Sequence, residues 1–190
     1  EMRARLPPAE MFENPVANRR KPIEFHSRLE YMKTSYMEHC LEQDENGTRR
    51  KPITKLTEMI DRSLDEDRNL EDLDLADCDP PLDDWQWAVI HELLHHTLEQ
   101  YTPQDIDQWR ENIDIRRVSF SHDRDKQNLT EHCIPNVCNF IRKFSRLTYV
   151  NLSYIPLDNR NEADIAAALV TLPDLEHLSL KGCKIGTKGF

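Results

Sequence analysis

Apolar positions along the chain follow two periods, and the change between them falls near residue 70. Phe25, Leu29, Met32, Tyr36 and Cys40 recur at steps of three and four, which is one face of an α-helix. A polar loop at 43–48 ends that stretch. After Pro52, the residues Ile53, Leu56, Met59, Ile60 and Leu64 define a second helical face. Both helices open alike, on Arg19-Arg-Lys-Pro-Ile and Arg49-Arg-Lys-Pro-Ile, with Pro near the helix start, where its missing N–H costs nothing. We read both as helix starts preceded by exposed cations, in preference to docking or import patches. Ahead of them, residues 1–22 carry prolines and no sustained period, which predicts an extended arm.

From Leu70 the period shortens to that of strands. Leu70-Glu-Asp-Leu-Asp-Leu-Ala-Asp-Cys78 has the form LxxLxLxxC, and Leu175-Glu-His-Leu-Ser-Leu-Lys-Gly-Cys183 has it again. Leu147-Thr-Tyr-Val-Asn-Leu-Ser-Tyr-Ile155 and Ile115-Arg-Arg-Val-Ser-Phe-Ser-His-Asp123 are looser copies, so the starts are separated by 45, 32 and 28 residues. Helical periods fill the intervals, at 83–100, 129–145 and 161–171. A strand with leucines pointing one way and a helix returning behind it cannot bury its apolar face alone, so such units stack.

On these copies the chain resembles the leucine-rich repeat family, closest to its ribonuclease-inhibitor-like and cysteine-containing forms, over roughly residues 65–190. Cys183-Lys-Ile-Gly-Thr-Lys-Gly-Phe190 looks like the family's strand-to-helix turn. The resemblance implies an α/β solenoid of about four irregular repeats over 67–190, behind an N-terminal helical cap at 23–66 and the arm at 1–22. The position-nine Cys is then expected to hydrogen-bond backbone at the turn. The chain departs from the family pattern at Asp123 and Ile155, which stand at position nine, and in the long first interval, with its extra segment around 104–112. An array stopping at Phe190 is expected to continue or to be covered by a partner.

Composition narrows the function. At 38% hydrophobic and 32% charged residues, no run of 18 apolar residues exists, so no membrane insertion is expected. The five cysteines are odd in number and form no CxxC pair, which predicts free thiols and a reducing compartment. We take that to be the cytoplasm, or the mitochondrial matrix if a targeting segment was removed ahead of Glu1. Three Asn-x-Ser/Thr sequons are read as chance. Net charge is −10, and residues 63–114 hold two Lys or Arg against 16 Asp or Glu. Such an acidic middle repels phosphates, so nucleic acid is not an expected partner. Residues 48–181 lack glycine altogether, which argues against a phosphate-cradling loop, and no small-molecule substrate or cofactor is expected.

One motif points to chemistry. His91-Glu92-Leu93-Leu94-His95 spells the HExxH of zinc proteases, in which two His bind Zn and the Glu is the general base. A zinc enzyme needs a third ligand, and the spacing selects none; Glu111 and His122 are the candidates. Projected on a helix, Trp87, Ile90, Leu94, Leu98 and Tyr101 form the buried stripe, His91 and His95 border it, and Glu92 and Glu99 face solvent. We read this helix as structural, without a metal site or catalytic residues. Trp85 lies near its polar side and is expected to be covered by the 104–112 segment.

In the repeat frame the outward strand positions form a ladder. It runs through Asp72 and Asp74, Arg117 and Ser119, Tyr149 and Asn151, then His177, Ser179 and Lys181. These are the expected partner-binding residues, with Tyr149 and Arg117 as anchors, because Tyr and Arg are enriched at interface hot spots. The expectation is a non-catalytic protein–protein interaction subunit, a structural or assembly component of a larger complex. One alternative is the substrate-recognition subunit of a ubiquitin ligase, since cysteine-containing repeats look like those of F-box receptors; residues 1–69 show no clear F-box. The other alternative is a zinc metallohydrolase through residues 91–95.

Overall fold

A computed structural model describes residues 27–42, 49–96, 113–121, 128–157 and 161–183, together with Ile185. The arm at 1–22, the first Arg-Arg-Lys-Pro, the 104–112 segment, Glu111, His122, Asp123 and the turn beyond Ile185 lie outside these residues.

Helix α1 (Arg28–Leu41) starts where the hydroxyl of Ser27 accepts the Glu30 N–H at 3.2 Å. It buries Leu29, Met32, Tyr36 and Cys40, the face that the three- and four-residue steps predict. Helix α2 (Thr54–Asp65) buries Leu56 and Ile60 and packs on α1. The two are joined by a buried hydrogen bond, from the Ile53 N–H to the Tyr36 hydroxyl at 3.0 Å.

Four strands follow: β1 (Leu70–Asp74), β2 (Ile113–Ser119), β3 (Tyr149–Asn151) and β4 (His177–Ser179). They form one parallel sheet in chain order. Parallel neighbours need a crossover, and helices α3 (Asp84–His96), α4 (Ile134–Lys143) and α5 (Glu162–Leu169) lie in those crossovers. A 3₁₀ turn at Glu131–Cys133 leads into α4. Helix α1 lies against α3, α3 against α4 and α4 against α5, while α2 packs on β1 at the sheet edge. The fold is therefore mixed α/β, with α1 and α2 at its β1 end.

The strand register reproduces the spacing of the sequence copies. Asp72 pairs with Arg117, Arg117 with Tyr149 and Tyr149 with His177, the same 45-, 32- and 28-residue steps. One residue on, Leu73, Val118 and Val150 are fully buried in register. Each withdraws a side chain worth about 1.5–3 kcal/mol from water. Leu178 continues the row but is 42% exposed, because among the described residues no strand lies beyond β4. Backbone bonds repeat as well: Leu75 donates to Ser119, Phe120 to Asn151 and Leu152 to Ser179. Two residues further, Asp77, Tyr154 and Gly182 all take the left-handed conformation, with φ of 48°, 65° and 72°. The thiols of Cys78 and Cys183 donate to the carbonyls of Leu75 and Leu152, each at 3.1 Å.

Helix α3 departs from its expected polarity. Beyond the apolar stripe, Val89, His91 and Leu93 are buried too, and Glu92 is half-buried. The cause is lateral packing, since α1 and α4 flank this helix on two sides. Trp87 sits edge-on to Phe120 at 4.6 Å and to Phe140 at 5.5 Å, tying α3 to the sheet and to α4. Asp83 and Gln86 form a reciprocal capping box at its start, with bonds of 2.7 and 3.2 Å. At its other end the buried Arg28 donates to the Leu94 carbonyl at 2.8 Å, and Lys143 donates to that of His95 at 2.7 Å. Two cations thus reach backbone carbonyls in the last described turn of this helix.

Candidate functional site

The sheet face opposite the core carries the outward positions in register. Across its first row run Asp72, Arg117, Tyr149 and His177, one residue per strand. Their side chains interact in sequence. Arg117 Nε stands 3.6 Å from Asp72 Oδ2, its guanidinium lies 4.4 Å over the Tyr149 ring, and that ring is 6.0 Å from the His177 ring. Asp72, Arg117 and His177 are exposed and Tyr149 is half-buried. A guanidinium over a phenol face is held by the ring quadrupole, which orders an otherwise mobile side chain.

The second row is self-satisfied. Asp74 accepts from Lys55 Nζ at 2.7 Å, and Lys55 also reaches the Ala76 carbonyl at 2.7 Å. The Asn151 amide donates to the Ser119 hydroxyl at 3.1 Å, and the Ser153 and Ser179 hydroxyls are 2.8 Å apart. Ser119 is only 9% exposed, so although it sits at an outward position its hydroxyl is spent inside the sheet. Neighbouring side chains, about 4.8 Å away on adjacent strands, close over it. Lys181, at the far end, is exposed, with its amine 5.9 Å from the Tyr154 ring.

Burial lifts the Asp72 carboxyl above its ordinary range, although Arg117 pulls it down. The fold thus holds this carboxylate on the face at some cost. Burial also raises all five thiols, Cys78 to about 11. Protonated thiols are poor nucleophiles and poor metal ligands, so the cysteines act as packing groups and weak donors.

At residues 91–95, the His91 ring is 6.0 Å from Trp87 and 5.0 Å from His95. His91 is 7% exposed; its Nε2 is buried and makes no hydrogen bond, while the residue as a whole is engaged with its neighbours. Among the described residues, no three His, Cys, Asp or Glu side chains are grouped to hold a metal ion. Arg28 and Lys143 donate to the backbone carbonyls of Leu94 and His95 in the same turn of α3.

The second Arg-Arg-Lys-Pro motif is consumed within the chain. Arg50 pairs with Asp83 at 2.6 Å and lies 4.6 Å over Trp85, and Lys51 pairs with Asp79 at 3.0 Å. Trp85 is half-buried with Arg50 over its ring; the 104–112 segment expected to cover it lies outside the described residues. The periodicity gave no sign of Lys55, Arg28 or Lys143 as partners of distant elements. For Lys55 alone there was a signal, an excess of cations in 49–62 facing an acidic stretch after it.

No helix among the described residues is long and apolar enough to cross a membrane. Comparison of the chain with family models, with curated proteins and with solved structures finds no match. Its function is accordingly argued from its own residues.

Proposed function

We propose that the chain is a leucine-rich-repeat solenoid of about four irregular repeats with an N-terminal helical cap. We further propose that it serves as a non-catalytic protein–protein interaction subunit, a structural or assembly component of a larger complex. One observation carries the reading: four strands present Asp72, Arg117, Tyr149 and His177 in register as an ordered, water-facing row. The equal placement of the left-handed turns at Asp77, Tyr154 and Gly182 supports the repeat assignment. The five free thiols support a reducing compartment, cytoplasmic or mitochondrial.

The test is affinity purification of the intact protein from its native cell beside an Arg117→Ala/Tyr149→Ala variant of unchanged thermal stability. Stable partners that the variant loses are the expected result. Partners fully retained by the variant would overturn the face and move the interface elsewhere on the molecule.

A further inference from the structure

The free polar groups on the β2–β4 half of this face can all donate, and two of them, Arg117 and Lys181, carry positive charge. Among the described residues, no hydrogen bond engages the terminal amino groups of Arg117, the Tyr149 hydroxyl, the His177 ring or the Lys181 amine. The acceptors nearby are committed. Asp74 is held by Lys55 and by the Ala76 N–H, Asp72 faces Arg117, and the Ser119–Asn151 and Ser153–Ser179 pairs bond one another.

Arg117 is the best-formed of these donors. Asp72 stands at its Nε and the Tyr149 ring under its face, while the side chain remains 52% exposed, so the guanidinium is both ordered and open to water. A planar guanidinium fork matches a carboxylate in bidentate fashion, and prior ordering spares the entropy of fixing it on binding. His177 lies two strands away, about 10 Å at normal strand spacing, with Lys181 further along β4. Alternate side chains of an extended peptide share one face and stand about 7 Å apart, and long side chains such as those of Glu, Lys and Arg cover the remaining distance.

The patch is small. Four strands and five residues of length enclose about 320 Å², well short of the roughly 800 Å² that each partner buries in a stable domain–domain interface. A peptide segment fits it better than a folded surface. Glu176 is exposed beside His177 and opposes an anion there. Asp72 and Asp74 lie one strand from Arg117 and also oppose an anion there, although each already faces a cation, Arg117 and Lys55; β4 lies about 14 Å from β1, beyond the ~8 Å screening length of physiological salt.

We propose that this half-face recognises an acidic extended segment of a partner protein, with one carboxylate on the Arg117 guanidinium and a second, two residues along on the same face, at His177 and Lys181. The proposal rests on the protein-binding reading above.

Fluorescein-labelled (Glu-Ala)6, (Gln-Ala)6 and (Lys-Ala)6 peptides, titrated with the full chain in about 0.15 M salt, test it by anisotropy. The Glu peptide is expected to bind at least tenfold tighter than the Gln peptide. Arg117→Ala should lose that margin and Arg117→Lys most of it, because lysine keeps the charge without the fork; circular dichroism confirms that both variants fold. Equal binding of the Glu and Gln peptides, or an unchanged margin in Arg117→Ala, would overturn the proposal. So would tighter binding of the Lys peptide, weakened by Asp72→Asn; that outcome leaves the face as a protein-binding site and changes only the partner's charge. Loss of native partners from the Arg117→Ala/Tyr149→Ala variant, with no acidic preference in the peptides, likewise retires this inference alone.

Discussion

Replacing Gly182 with alanine probes the turn that ends each outward strand. Gly182 has φ of 72°, and a Cβ built there would stand 2.3 Å from Cδ1 and 2.4 Å from Cε1 of Tyr154. Two costs add. A non-glycine residue in the left-handed region costs about 1–2 kcal/mol. The Tyr154 ring, packed where the methyl must go, has to leave its rotamer at about 0.5–1.5 kcal/mol. Gly182→Ala is therefore expected to destabilise by about 1.5–3.5 kcal/mol, which at a urea slope of about 2 kcal/mol/M moves the midpoint down by about 0.8–1.8 M. Urea unfolding followed by circular dichroism measures this directly. In a Tyr154→Ala background the ring is gone, so only the backbone cost of about 1–2 kcal/mol should remain, and the double-mutant cycle isolates the clash. A cost below about 0.5 kcal/mol, or the same cost in both backgrounds, would refute the close approach of ring and turn. It would also weaken the equivalence of Gly182 with Tyr154 and Asp77.

Tyr36→Phe removes the hydroxyl that accepts from a buried backbone group, the Ile53 N–H, and should cost about 1–3 kcal/mol in urea unfolding; an unchanged midpoint would mean that α1 and α2 are not joined there. Asp72→Asn tests the charge held on the face. Its carboxyl is raised above its ordinary 3.8, so the folded chain holds the proton more tightly than the unfolded one. Stability from this group is then fullest below that ordinary value and declines as pH rises through the folded one. Stability curves of protein and variant should diverge over that window in favour of the variant, and divergence the other way would show that the Arg117 pairing outweighs burial. For the His91–His95 motif, native mass spectrometry in equimolar zinc is expected to show no stoichiometric metal. One zinc per chain, lost on His91→Ala, would revive the metallohydrolase reading.

Much of the architecture was legible because its signals are local. The three- and four-residue steps in 25–40 and 53–64 mark helix faces, and the α1 and α2 cores are drawn from them. Alternation in the LxxLxL copies separates Leu73, Val118 and Val150 from the outward residues, since neighbouring strand residues must point to opposite faces. Spacing the copies by 45, 32 and 28 residues was enough to anticipate register, because stacked parallel units align like with like.

What the periods do not carry is the identity of lateral neighbours. Helix α3 reads as amphipathic, yet α1 and α4 press on its flanks, so His91 and Leu93 are buried along with the stripe. Ser119 holds an outward position but is covered by Asn151, which lies 32 residues away. Arg50 looks like an exposed cation until the fold sets Asp83 and Trp85 beside it, whereas Lys51 stays exposed next to Asp79. The sequence by itself determined which elements form, which side of each strand meets the core and how the strands align. Tertiary structure alone decided that Asp72 and Tyr149 would meet on Arg117, because a cross-strand contact depends on which chain segment the topology places within reach of a side chain.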